Sequence, residues 1–197
     1  MTLNSAAITS LEARQGFMPR WGIWITARDR STGADTPFGI WQGDDSQIIT
    51  VGAGDDRLFA GAQGGLQFAP LRYVMGMLNQ SQSVTLNGAS PDVINLTRVY
   101  DVQNAYAEIW LMVLDPQTGN LLDVERRFKG FVNGAPMQVP EVGGTFSTTL
   151  SLTSSMSNMT RTPEVVKSDA DQRSNADDAF NSYGTVADAV DDPWGNA

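Results

Sequence analysis

Apolar and polar residues alternate along several stretches of the chain, with the period of two that is typical of β-strands. The clearest stretch is 145–153, where the even-numbered residues would point to one face and the odd-numbered Ser and Thr residues to the other; the even-numbered ones are Phe146, Thr148, Leu150 and Leu152. The runs GIWITARD and FGIWQG, separated by the turn-forming sequence RSTGADTP, predict a hairpin. Together these patterns predict a mainly β domain over residues 21–162.

The run from Tyr106 to Leu114 lacks this alternation, because it is apolar at nearly every position. As a strand it would be buried on both faces, at the centre of the fold. Alternatively, the face that carries Trp110 and Met112 packs on a neighbouring subunit. The sequence DPQTGN follows this run and favours a tight turn, which predicts a second hairpin.

Two other segments show helical patterns. Ile8 and Leu11 lie three residues apart, which predicts a short helix in an N-terminal arm of residues 1–20. A second short helix is predicted to begin after Ser90, which would cap it, and to continue to Tyr100. The predicted fold class is therefore mainly β with one or two short helices.

Residues 163–197 form an acidic segment that is poor in large aliphatic residues, which indicates an extension and not a second core. Its sequence SDADQRSNADDAF spaces acidic residues as a calcium loop does. However, Ser174 stands where such a loop needs glycine, and Phe180 where it needs a bidentate Glu. We therefore expect no calcium site here. A solvated acidic tail and an arm that docks on a neighbour both remain open.

Composition limits the chemistry of the chain, which has neither Cys nor His. Disulfides, thiolate nucleophiles, Ser-His-Asp catalysis and His-based metal sites are all excluded. The net charge of −9 disfavours binding to nucleic-acid phosphates. We expect no cofactor and no enzymatic activity. With no signal-peptide pattern and no apolar run of membrane-spanning length, we also expect no membrane anchor and synthesis in the cytoplasm.

Two alternative functions use residues that the chain does possess. Glu108 and Glu125, on the two strands of the second hairpin, could serve a two-carboxylate cell-wall hydrolase. More simply, Glu108 is an exposed position and Glu125 belongs to a surface ion cluster with its neighbouring arginines. Five Trp residues and Gly-rich loops would also suit a carbohydrate-binding β-sandwich, with Trp41 as a stacking residue, although core Trp is commoner.

The order of motifs along the chain resembles that of the tail-hub or distal-tail (tail-tip) proteins of long-tailed bacteriophages and gene transfer agents. The motifs are FGIWQGD, the hairpin IWLMVLDPQTGNLLDVERRFKGFVNG, a Thr/Ser strand ending in MTRTP, and then DADQR, DDAF and DDPWG. The positions that match the family's pattern are Asp115, Gly119, Leu121, Phe128, Gly130, Arg161, Asp169, Asp171, Gln172, Trp194 and Gly195.

This resemblance implies a tail-tube-like β barrel or sandwich with an extended C-terminal arm. It also implies a structural role in the virion tail tip, in a virion assembled in the bacterial host cytoplasm. Such proteins form trimeric or hexameric rings below the tail tube and line the channel through which DNA passes without specific binding. The implied partners are further copies of the chain, the tail tube or distal-tail protein above it, and the central fibre or tip protein below.

The same resemblance suggests which residues form assembly contacts. We expect these residues on the two-faced strand and in the acidic segment, where aromatic side chains would anchor the arm on a neighbour. The candidates are Trp110, Met112, Asp171, Gln172, Arg173, Phe180, Tyr183 and Trp194. Many members of the family continue into a Cys-rich iron–sulfur domain, and with no Cys in this chain we expect no such cluster.

Overall fold

A computed structural model describes residues 4–52, 54–71, 80–87, 99–138, 141 and 146–156. These residues belong to the first of two units into which the chain divides, Met1–Met159 and Thr160–Ala197. The described elements are α1 (Ser5–Glu12), β1 (Met18–Asp29), β2 (Asp35–Trp41), β3 (Gln47–Val51), β4 (Asp55–Gly61), β5 (Leu66–Phe68), β6 (Ser81–Asn87), β7 (Tyr100–Leu114), β8 (Leu121–Gly134), β9 (Met137–Gln138) and β10 (Ser147–Ser154). The prediction of a mainly β fold is confirmed.

The strands form one mixed sheet in the order β3-β4-β2-β1-β7-β8-β10-β6-β5, with β9 paired to β10. The paired strands are antiparallel except for β2 and β4, which are parallel because the chain crosses over through β3. Both predicted hairpins are confirmed as β1–β2 and β7–β8. The end strands of the order are β3 and β5, so the described sheet is open.

One core lies inside the curve of this sheet. It is built by buried side chains of β1, β2, β5, β6, β7, β8 and β10, which include strands far apart in the strand order. The sheet must therefore curl to bring Ile40 of β2 into the same cluster as Leu86 of β6. The alternation predicted for β10 is confirmed, since Leu150 and Leu152 are fully buried in this core.

A second core lies on the outer face of β7. There Trp110, Met112 and Leu114 pack against Val51 of β3 and Phe59 of β4. The opposite face of β7 contributes to the first core, so the strand is buried on both faces, as its unbroken apolar sequence predicts. The interpretation of this run as a central core strand is thus confirmed.

The helical predictions fare differently. The N-terminal helix is confirmed as α1, although Ala7 and Ser10 are its buried residues while Ile8 and Leu11 are exposed. The first strand begins at Met18, inside the predicted arm. Most of the second predicted helix falls on residues 88–98, outside the described ones, and Tyr100, predicted as its last residue, begins β7. The acidic segment 163–197 also lies outside the described residues.

Candidate functional site

The buried carboxylate of Glu108 is the most heavily bonded charged group in the described part of the chain. The expectation that Glu108 is an exposed position is wrong, because only 2% of the residue is accessible to solvent. It lies on the outer face of β7, and β3 and β4 cover that face. A charge buried to this extent requires compensating partners.

Four side chains bond to the two oxygens of Glu108. The Oε1 atom accepts hydrogen bonds from the Tyr106 hydroxyl at 2.7 Å and from Nη1 of Arg126 at 2.8 Å. The Oε2 atom accepts from Nη1 of Arg57 at 2.6 Å and from the Trp110 indole nitrogen at 3.2 Å. The buried charge is therefore fully compensated, and Arg57 connects β4 to β7 while Arg126 connects β8 to β7.

The two arginines also contact indole rings. The guanidinium of Arg57 lies 4.9 Å from the ring centre of Trp24 and 5.6 Å from that of Trp110. The guanidinium of Arg126 lies 5.8 Å from the Trp110 ring centre. Cation–π attraction of this kind adds to each ion pair. We refer to Arg57, Glu108 and Arg126 with these aromatic partners as the Glu108 cluster.

The pKa values show which charges the cluster carries. Burial alone would raise the pKa of Glu108, but hydrogen bonds from Tyr106, Arg57 and Arg126 outweigh it, so the pKa falls below 4.5. Burial, and then the bond to Glu108, raises the pKa of Tyr106 to about 12. Burial tends to lower the pKa of Arg57, but Glu108 and Asp55 raise it overall. Glu108 is therefore ionised at neutral pH and has no proton to donate as a general acid.

The strand register keeps the two candidate hydrolase carboxylates apart. Glu125 lies opposite Leu111, whereas Glu108 lies opposite Lys129. Since successive residues of β7 point to opposite faces, Glu108 and Glu125 lie on opposite faces of the hairpin. Glu125 pairs instead with Arg127 at 3.0 Å. The geometry therefore does not bring together the pair that the hydrolase hypothesis needs.

The tryptophan-based hypotheses meet a similar obstacle. Trp41 is buried, and its indole nitrogen donates a hydrogen bond to the carbonyl of Asp45 at 2.9 Å, so its ring is not available to stack on a sugar. Trp110 and Met112 are buried inside the chain by β3 and β4. They offer no exposed surface to a neighbouring subunit. The other assembly candidates, Asp171, Gln172, Arg173, Phe180, Tyr183 and Trp194, lie outside the described residues.

An exposed apolar pair lies on the other side of the β3–β4 hairpin. Ile48 is 67% exposed and Leu58 is 59% exposed, and the two are direct cross-strand partners. The inner face of the same hairpin holds Ile49 and Phe59 in the second core. Sequence reasoning missed this surface. The available signal was the pair of adjacent isoleucines in SQIITV, which makes both faces of β3 apolar.

No group of three or more acidic side chains is arranged to hold a metal ion in the part of the chain that the structure describes. Within the same residues, no helix has the length and apolar character needed to cross a membrane.

Comparisons with known proteins give a distant fold likeness. No protein family profile and no curated protein matches the chain. A solved structure titled "Virion of native gene transfer agent (GTA) particle" contains a chain that is similar with a TM-score of 0.48 and 13% sequence identity. The match covers 80% of the present chain and 48% of that one, so the present chain spans about half of its length.

Proposed function

We propose that the protein is a structural, non-enzymatic component of a phage-type tail tip, a hub or distal-tail ring. In this role it assembles as a trimer or hexamer below the tail tube, lines the DNA channel and links the tube to the central fibre. The ordered motifs that resemble tail-hub proteins support the proposal. The structural observation that carries it is the exposed pair of Ile48 and Leu58 on the β3–β4 hairpin.

The exposed pair has the properties of a preformed contact surface. Single exposed apolar side chains are common on protein surfaces, but two large ones side by side form a small patch that a partner can cover favourably. Here the inner face of the hairpin is packed by Phe59 and held by the bond from Arg57 to Glu108. The pair is therefore presented on a rigid support, which reduces the entropy lost when a subunit binds.

The backbone of β3 supports the same role. This strand stands at one end of the described strand order, and its sequence QIITV carries no charge and no proline. Natural edge strands usually carry charge or proline that blocks pairing with other chains, so an uncharged edge favours intermolecular contact. A contact that buries both Ile48 and Leu58 would gain about 2–4 kcal/mol for the pair.

The charge of the chain is consistent with a DNA-conducting channel. The net charge of −9 repels phosphates, so DNA would pass without being held. The two arginines of the Glu108 cluster do not oppose this, because two carboxylates balance them: Glu108 pairs with both, and Asp55 also pairs with Arg57. The proposal also includes the acidic segment 163–197. In it, the aromatic side chains of Phe180, Tyr183 and Trp194 would anchor the segment on a neighbouring subunit, and Arg173 would form an ion pair with that subunit.

Replacement of the exposed pair tests the proposal. Ile48→Lys and Leu58→Lys place a charge in the contact, and we expect each to weaken association at least about tenfold. The measurements are light scattering after size exclusion, and negative-stain microscopy of the protein alone and mixed with its tail partners. Met137→Lys is the matched control, because Met137 is 47% exposed and lies on β9. Wild-type protein that stays monomeric under both conditions would refute ring assembly.

A further inference from the structure

An irregularity in β7 creates a surface cleft that the proposed function does not use. In the pairing of β1 with β7, Arg28 lies opposite Asp101, and Thr26 lies opposite Tyr106. Residues 102–105 of β7 therefore lie opposite the single residue Ala27, which makes this part of β7 a bulge. Within this bulge Asn104 adopts a left-handed conformation with φ of 58°. Bulges of this kind redirect side chains and are frequent beside functional sites.

The bulge lies where β7 and β8 separate. Their ladder ends at Tyr106 and Phe131, although both strands continue beyond it. A cleft of about 420 Å³ opens there and extends from Asp35 on β2 to Phe131 on β8. A second cleft of about 270 Å³ adjoins it and shares Asp101 and Gln103. Because neighbouring strands are about 4.8 Å apart, the larger cleft crosses four strands over about 14 Å.

The lining of the larger cleft mixes hydrogen-bond donors and acceptors. Arg28 donates, Asp35 and Asp101 accept, and the amides of Gln103 and Asn104 do both. Arg28 and Asp35 are mostly exposed and lie 3.9 Å apart, a loose pair that a ligand could engage without a large cost. This wall can therefore bond to a ligand whose own groups both donate and accept.

Aromatic rings form the other end of the larger cleft. The rings of Tyr106 and Phe131 meet edge to face with centres 6.0 Å apart. The Tyr106 hydroxyl is held by Glu108 at 2.7 Å, so the Glu108 cluster fixes the orientation of this ring. A fixed aromatic surface beside convergent polar groups is typical of a small-ligand site.

We propose that this cleft binds a neutral saccharide. Sugar hydroxyls both donate and accept hydrogen bonds, and the C–H faces of a sugar ring pack on aromatic rings, which matches the two ends of the cleft. Two carboxylates against one guanidinium among the groups named here disfavour polyanions such as nucleic acid. An extended peptide would pair along a strand, whereas this cleft runs across the strands and presents side chains.

This site is separate from the contact surface of the proposed function. The exposed pair lies on β3 and β4, and neither strand lines the cleft. Saccharide binding and ring assembly can therefore fail independently. It is also separate from Trp41, on which the earlier carbohydrate hypothesis rested.

A glycan array that includes neutral and acidic oligosaccharides, followed by calorimetric titration of the best-retained oligosaccharide, tests the proposal with the full chain. We expect a neutral oligosaccharide to be retained, and we expect Gln103→Ala and Asn104→Gly each to weaken its binding about tenfold. Glycine at 104 tolerates the left-handed backbone, so this variant removes the side chain without strain. Gln67→Ala, at an exposed glutamine of β5 outside the cleft, is the matched control and should bind within about twofold of wild type.

Three results would overturn the proposal. The first is that no neutral oligosaccharide is retained at millimolar concentration. The second is that only acidic glycans are retained. The third is that Gln103→Ala and Asn104→Gly both leave the binding of the oligosaccharide unchanged. A peptide library is screened in parallel. Peptide retention that the same variants abolish, without glycan binding, would identify a polypeptide occupant and reject the saccharide. Near-ultraviolet circular dichroism of each variant confirms that the fold is retained.

Discussion

Replacing Glu108 by Gln removes one negative charge from between two arginines while keeping nearly the same shape. The side chain is almost fully buried, and its oxygens bond to Arg57 at 2.6 Å and Arg126 at 2.8 Å. A Gln amide offers one oxygen and an NH₂ group, and that NH₂ group would point a donor at a donor. The variant therefore loses both ion pairs, keeps one hydrogen bond to a neutral oxygen, and sets its amide N–H groups against the donors on the other side.

The expected loss of stability follows from the unequal exposure of the two arginines. The Arg126 side chain is 46% exposed, so it can regain water when its partner is lost. The Arg57 side chain is only 20% exposed, although Asp55 at 2.7 Å still partly compensates it. Breaking a buried ion pair from one side costs about 3–5 kcal/mol. Because both arginines keep some compensation, we expect about 3 kcal/mol for Glu108→Gln.

Urea unfolding followed by tryptophan fluorescence measures this loss, with Glu125→Gln as the matched control on the same hairpin. Glu125 is 32% exposed and holds one ion pair, to Arg127 at 3.0 Å, whereas the buried Glu108 holds two, so replacement of Glu125 should cost only about 1 kcal/mol. If the free energy of unfolding of Glu108→Gln lies within about 1 kcal/mol of that of the control, the ion pairs of the Glu108 cluster do not stabilise the fold and the reasoning is refuted.

The pH dependence gives a second readout of the same variant. A carboxylate whose pKa is lowered on folding stabilises the native state above its unfolded value and loses that contribution as pH falls through the folded value. For Glu108 the contribution is present above pH 4.5 and disappears below it. Wild-type protein should therefore lose more stability than Glu108→Gln as pH falls below 4.5. Parallel pH curves for the two proteins would contradict the lowered pKa.

Two further predictions concern the neighbours of this cluster. Tyr106→Phe removes a hydrogen bond to a charged group, so it should lower the free energy of unfolding in urea by about 1.5–3 kcal/mol. Ultraviolet titration of the variant should also lack the phenol whose pKa is raised to about 12 in the wild type. A titration curve identical to that of the wild type would contradict the raised pKa of Tyr106. Gly39→Ala should lower stability by about 1–3 kcal/mol, because the added Cβ would lie 2.7 Å from Trp24 and 2.8 Å from the Leu58 carbonyl oxygen. Gly134→Ala is the control and should be nearly neutral, because the space around Gly134 is open. Equal melting temperatures for the two variants would refute the packing argument.

Local patterns predicted the strands well where one sequence feature decides one structural feature. The alternation around Leu150 and Leu152 requires one buried face, and the turn sequence between Leu114 and Leu121 requires a reversal of the chain. The expectation for Glu108 failed, because its environment depends on Arg57, which lies 51 positions earlier in the chain. The exposure of Ile48 was missed for the same kind of reason, since two adjacent isoleucines do not reveal which one faces the core.

The sequence by itself determined the mainly β fold, the two-faced burial of β7 and the absence of thiol and imidazole chemistry. These follow from residue types and short periodicities, which act along the chain. Only the tertiary structure decided which strands cover the outer face of β7, because the parallel pairing of β2 with β4 brings together segments that are separated in sequence. That pairing buries Trp110 and Glu108 and leaves Ile48 and Leu58 in solvent. The bulge opposite Ala27 likewise arises from the register between β1 and β7, which forms only when the two strands meet.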